Sequence, residues 1–200
     1  MVTKQVTNLQ IDTSHSSGRV LYITGRGGDH TRGLGGHIST LVPDYRGVSV
    51  DVPFLRQDID DQIKAIRASI TACAGGTVIA NSYGAYLTLL SFIDFEHDVE
   101  QVVLLSPVLG AAMAKDRMYY SRPPATGRLR TALAERRVNL PERSAIFIGD
   151  QDELYDTALL ATYTEMMGEE KVYVLEGQRH NLDRDVMQNV LSARLGISSN

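Results

Sequence analysis

The sequence predicts an α/β protein, a three-layer sandwich in which helices cover both faces of a mostly parallel sheet. Three observations carry this. Short apolar runs alternate with segments of helical spacing along most of the chain, the pattern of repeated β-α-β units. Those runs are apolar at nearly every position, as burial of a strand on both faces demands. The 200 residues, 43% of them apolar, also suffice for one domain with a sizeable core, so residues 1–200 are read as a single unit.

The elements follow in order. Val6 to Ile11 alternates weakly and reads as an edge strand, followed by a turn at His15-Ser16-Ser17-Gly18. Arg19 to Thr24 is a short apolar strand that runs into a glycine-rich loop, Gly25 to Gly36. Gly47 to Val52 is the next strand candidate. Ile59, Ile63, Ile66, Ile70 and Cys73 then recur on one face of a helix, while Asp58, Asp61 and Lys64 point elsewhere. Gly76 to Ala80 is a strand, and Tyr83 to Ile93 a helix directly behind it. Val102 to Leu105 and Ala145 to Ile148 are strands ended by Ser106-Pro107 and Gly149-Asp150. A helix over Thr157 to Met167, a strand over Val172 to Leu175 and a helix over Asp183 to Leu195 close the chain.

Residues 109–140 break this rhythm. They hold Met113, Met118, Tyr119, Tyr120 and Pro123-Pro124, then a short helix expected over Leu129 to Arg137. The segment reads as a small lid or pocket wall over the sheet, or as an irregular crossover.

Composition narrows the function. A net charge of −4 argues against nucleic acid or an acidic membrane as the main partner. One cysteine, Cys73, excludes an intramolecular disulfide and a cysteine-rich zinc site, and points to a reducing compartment. Met1 to Gln5 lack the apolar run of a signal peptide, and no stretch reaches the roughly 20 apolar residues that span a bilayer. A cytoplasmic protein is expected.

In open α/β sheets, ligands bind beyond the carboxyl ends of the strands. The polar residues at those ends are the Gly25 loop, Ser82, Ser106, Asp150, Asp152 and His180. Ser82 is the most informative. It follows an apolar strand, lies between small residues and opens a helix, so its hydroxyl is thrust out of a tight turn. A serine is a poor nucleophile unless a base activates it, and a carboxylate and a histidine follow in chain order.

Those residues resemble the α/β-hydrolase family over nearly the whole chain. Ala80-Asn81-Ser82-Tyr83-Gly84 looks like the family's Gly-x-Ser-x-Gly elbow, with alanine for the first glycine. The resemblance puts Ser82 in the nucleophile position and His180, in Gly177-Gln178-Arg179-His180, in the base position. The family's acid usually lies three residues past a glycine like Gly149, which selects Asp152, with Asp150 as the alternative. Thr24-Gly25-Arg26-Gly27 is similar to the family's His-Gly-x-Gly, with threonine for histidine. It implies an oxyanion hole formed by the backbone N–H groups of Tyr83 and Arg26, with Gly27 as the alternative donor. The activity implied is hydrolysis of a small or medium carboxylic ester or thioester without a cofactor, the partner being a small-molecule acyl substrate. A non-catalytic binding protein on the same fold, or a hydrolase of peptide or C–C bonds, is the competing expectation.

Other signals carry less. The glycine-rich loop fails the dinucleotide spacing, because His30 stands where a third glycine belongs, and it lacks a P-loop's Gly-Lys-Ser/Thr. Asp29, His30 and His37 could in principle gather a metal, but two histidines seven apart in a glycine-rich loop read as solvated or structural, and no metal is expected. Asp51 and Pro53 shape a loop, and Cys73 is a core residue. The arginines between 117 and 143 read as a solvated face, with a preference for anionic substrates as the sharper alternative.

Overall fold

The computed structural model describes residues 18–108, 123–154 and 157–197. The expected strand at 6–11 and residues 109–122 of the proposed lid lie outside them.

Among the described residues, six parallel strands form one sheet in the order β2-β1-β3-β4-β5-β6. They are β1 (Arg19–Ile23), β2 (Asp44–Val48), β3 (Thr77–Asn81), β4 (Gln101–Leu105), β5 (Ala145–Gly149) and β6 (Val172–Leu175). Between them run helices α1 (Gly33–Leu41), α2 (Val52–Leu55), α3 (Ile59–Thr71), α4 (Ser82–Ser91), α5 (Thr126–Ala134) and α6 (Thr157–Met167), and α7 (Arg184–Leu195) follows β6.

The two-residue period of a strand divides each apolar run between two cores. Leu21 and Ile23, Val78 and Ala80, Val102 and Leu104, Ile146 and Ile148 face α3, α4, α5 and α6. Val20 and Tyr22, Ile79, Val103 and Leu105, Ala145 and Phe147 face α1 and α7. This is the three-layer sandwich that the apolar strands predicted. On α3, Ile63, Ile66 and Ile70 are buried, and Asp60 and Asp61 sit in the first turn, where negative charge complements the helix dipole.

Three local expectations shift. The second strand is Asp44–Val48 rather than Gly47 to Val52. Its register pairs Arg19 with Asp44 and Ile23 with Val48, and the Arg19 guanidinium meets the Asp44 carboxylate at 2.7 Å. Beyond Val48 the backbone turns to the β1 loop: the Val50 N–H donates to Thr24 Oγ1 at 2.9 Å, and its carbonyl accepts from Gly27 N–H at 2.7 Å. Asp51 then caps α2 by accepting from the Phe54 N–H at 3.0 Å, with Pro53 in the first turn. The second shift is α1, which begins inside the stretch read as a glycine-rich loop. The third is α5, which starts at Thr126 and ends at Ala134, earlier than the expected Leu129 to Arg137.

After β1 the chain passes to α1 on one face of the sheet, and after β3 to α4 on the other. The carboxyl ends of β1 and β3 are therefore a topological switch point, where a crevice opens in sheets of this kind. Among the described residues, no helix is long and apolar enough to cross a membrane.

Candidate active site

Ser82 ends the climb of β3 and is the first residue of α4. Its φ is +53°, a left-handed conformation that a side-chain-bearing residue adopts at a cost of roughly 1–2 kcal/mol. That turn lifts the hydroxyl off the strand end. It also brings α4 hard against β1: a Cβ built at Gly84 would lie 2.2 Å from the Thr24 carbonyl oxygen. Gly84 is thus required by a close approach, and Ala80, fully buried in β3, tolerates the methyl that the elbow pattern usually lacks.

His180 reaches the same point from the loop after β6. Ser82 Oγ lies 2.8 Å from His180 Nε2, and His180 Nδ1 lies 3.0 Å from both carboxylate oxygens of Asp152. A proton on Nδ1 satisfies the carboxylate and leaves Nε2 as acceptor for the serine hydroxyl. The Asp152 side chain is sealed from solvent, and the imidazole is 12% exposed. Asp152 Oδ1 also accepts from the Leu154 N–H at 2.8 Å, which fixes the carboxylate's rotation.

The two candidate acids separate cleanly. Asp152 faces the imidazole; Asp150 Oδ1 instead accepts from the Gly177 N–H at 2.8 Å and ties down the loop that carries His180. That tie is one of three. The Asp150 N–H donates to Leu175 O, and the Gln151 N–H donates to Gln178 O. The loops approach so closely that a Cβ at Gly149 would meet Gln178 O at 2.0 Å.

Tyr83 presents its N–H at the first turn of α4, where the helix dipole favours developing negative charge. Of the two loop residues weighed as the second donor, Gly27 has its N–H engaged by the Val50 carbonyl, and Arg26 lines the same cavity as Ser82. A cavity of about 630 Å³ opens in front of Ser82 and His180, walled by Arg26, Asp29, Arg32 and Leu34. Tyr22 and Asn81 line it as well, a pair that the sequence did not single out. Burial pushes the Tyr22 phenol pKa well above the ordinary range, and the neighbouring Asn81 side chain offsets this in part.

The remaining candidates sit elsewhere. Ser106 is buried at the end of β4 with φ +42°, and its hydroxyl has no partner among the described residues. His30 turns Nδ1 to Ser49 Oγ at 2.9 Å. Arg128 pairs with Asp60 at 2.7 Å, and Arg137 with Glu135 at the same distance. Cys73 is buried in the first core, where burial pushes its thiol pKa up.

An open parallel sheet with a serine on a left-handed strand-to-helix turn, backed by a histidine and a buried carboxylate, defines a class of α/β protein built around an activatable hydroxyl. The profile of the Alpha/beta hydrolase family matches residues 20–189, and the chain belongs to that family. Solved structures share the fold at low identity. An esterase, PE8, superposes with a TM-score of 0.59 at 15% identity, over 95% of this chain and 97% of that one. E-2-(Acetamidomethylene)succinate hydrolase gives 0.60 at 15% over 89% and 91%. The thioesterase domain from the curacin biosynthetic pathway gives 0.56 at 12% over 92% and 93%. A search of curated proteins finds no significant match.

Proposed function

We propose that the protein is a serine hydrolase that cleaves a small or medium carboxylic ester or thioester through an acyl-enzyme on Ser82. The observation that carries this reading is the hydrogen-bonded line from Ser82 Oγ through the His180 ring to a buried Asp152 carboxylate. His180 Nε2 takes the Ser82 proton as Oγ bonds to the acyl carbon, then gives it to the departing alkoxide or thiolate. Water repeats the exchange, with the same nitrogen as base, and releases the acid. Asp152 keeps the imidazole in the productive tautomer and stabilises its positive form. Charge on the substrate oxygen falls on the N–H groups of Tyr83 and Arg26, each worth about 3–4 kcal/mol in the barrier.

The family and the names of the similar structures support a hydrolase; the ester or thioester bond is the finer part of the proposal. A fluorophosphonate probe tests it. Wild type should label at Ser82, and Ser82→Ala should neither label nor turn over ester. A wild type that stays unlabelled, or a variant that labels equally, refutes the reading.

A further inference from the structure

A second cavity, of about 320 Å³, shares Arg26 with the first. Arg26 lines both, Ser82 and His180 line only the larger, and Tyr83 lines only the smaller. Of the proposed oxyanion donors, Arg26 thus borders both chambers and Tyr83 the smaller one. The leaving group must lie near His180, which returns its proton, and therefore belongs to the larger one. The acyl substituent then points into the smaller chamber. Its volume, about ten times the ~30 Å³ share of one water, suits a short acyl group rather than a long chain.

The wall of that chamber holds an unusual residue. Gln62 lies within the apolar face of α3, between Ile59, Ile63 and Ile66, and is 4% exposed. Its Nε2 donates to the Gln57 carbonyl at 2.9 Å, which anchors the amide. Its Oε1 receives a long contact, 3.5 Å, from the Tyr83 hydroxyl, at the limit of a hydrogen bond. A glutamine amide has two donors and two acceptor lone pairs, so the anchored group keeps capacity for a ligand. Tyr83 is held in turn by its ring, stacked on Tyr86 with centroids 5.8 Å apart. The charged residues of the chamber, Arg26 and Asp58, are of opposite sign, which favours a neutral polar group over an ion.

We infer that Gln62, with the Tyr83 hydroxyl, determines acyl specificity by hydrogen-bonding a hydroxyl or carbonyl carried on a short acyl chain. The inference rests on the serine-hydrolase reading. A site built to bond a substrate polar group discriminates strongly against the analogue that lacks it.

The test compares p-nitrophenyl butyrate with p-nitrophenyl 3-hydroxybutyrate. Wild type should prefer the hydroxylated ester by about tenfold or more in kcat/KM. Gln62→Met, which keeps the volume and removes the amide, should collapse that ratio while fluorophosphonate still labels Ser82; Tyr83→Phe should lower it part of the way. Labelled wild type with no preference, or a labelled Gln62→Met with the wild-type ratio, overturns this inference alone. Wild type that neither labels nor hydrolyses either ester overturns the hydrolase reading and the specificity with it. If Gln62→Met fails to fold, Tyr83→Phe carries the test: a labelled Tyr83→Phe with the wild-type ratio overturns the inference.

Discussion

One added methyl group at Gly84 should weaken the fold and the site together. The alanine Cβ would stand 2.2 Å from the Thr24 carbonyl oxygen and 2.9 Å from the Ile23 carbonyl oxygen. Ordinary contact begins near 3.4 Å, so α4 and the end of β1 must part by about 1.2 Å. Both obstacles are backbone atoms of a central strand and its loop, and they cannot swing aside as a side chain would. Overpacking of this kind costs about 1–3 kcal/mol, and a backbone clash takes the upper end. Alanine in place of a helical glycine returns about 1 kcal/mol. The net loss is about 2 kcal/mol, or roughly 4–8 °C in Tm for a chain of this length. The same separation moves the Arg26 amide away from Ser82, and an error near 1 Å costs about a hundredfold in rate. Thermal unfolding and ester hydrolysis read both effects. An unchanged or raised Tm for Gly84→Ala would refute the close-approach argument.

Two further outcomes are expected. Asp152→Asn should lower kcat by about 10³–10⁴-fold, because an amide facing Nδ1 favours the wrong tautomer, whereas Asp150→Asn keeps an acceptor for Gly177 and should lose less than about tenfold; equal losses, or the reverse order, would move the acid to Asp150. Above pH 10 the fold should weaken. The Tyr45 hydroxyl donates to the His30 carbonyl at 2.6 Å, and burial raises its pKa to about 12. Its folded value exceeds the unfolded value near 10, so its contribution is full below about pH 10 and is lost as pH climbs toward 12. Urea unfolding at pH 9, 10.5 and 11.5 should show a smaller decline for Tyr45→Phe than for wild type; parallel declines would exclude Tyr45 as a source.

Local signals in the sequence identify most of the strands, because burial on both faces leaves a continuous apolar run that needs no partner to be recognised. Val102 to Leu105 and Ala145 to Ile148 are of this kind. β2 is different: it lies at the sheet edge, its residues are only partly buried, and its hydrophobic signal is correspondingly weak. The alternation over Gly47 to Val52 suggested a strand, but Val50 is buried by its bonds to Thr24 and Gly27 outside the ladder. The glycines at 33, 35 and 36 hide α1, since helix propensity speaks against them and tertiary packing overrules it. Ser82, Asp152 and His180 stand at strand ends and were legible from the order of the elements. The family's spacing past Gly149 already pointed to Asp152 over Asp150, two residues apart in one turn, and the loop geometry turns Asp152 to the imidazole and Asp150 to the Gly177 N–H. Gln62 carried a signal that could have been read, an amide in the middle of an isoleucine stripe. Its proximity to Tyr83 needed the packing of α3 against α4.

The site is assembled from two halves of unequal security. Ser82 and the Arg26 loop hang from β3 and β1, which are paired on both sides in the middle of the sheet. His180 hangs from β6, four residues long and paired, among the described residues, with β5 alone. Native proteins open first at such margins, with free energies well below that of global unfolding. The three loop bonds around Gly149 and Asp150 therefore join the β5–β6 ladder and the His180–Asp152 contact in coupling the base to the rest of the protein. Should that margin fray, the chain would keep its nucleophile, its cavities and most of its core, and would lose the group that makes the nucleophile reactive. The activity of this protein is expected to be only as durable as its last strand.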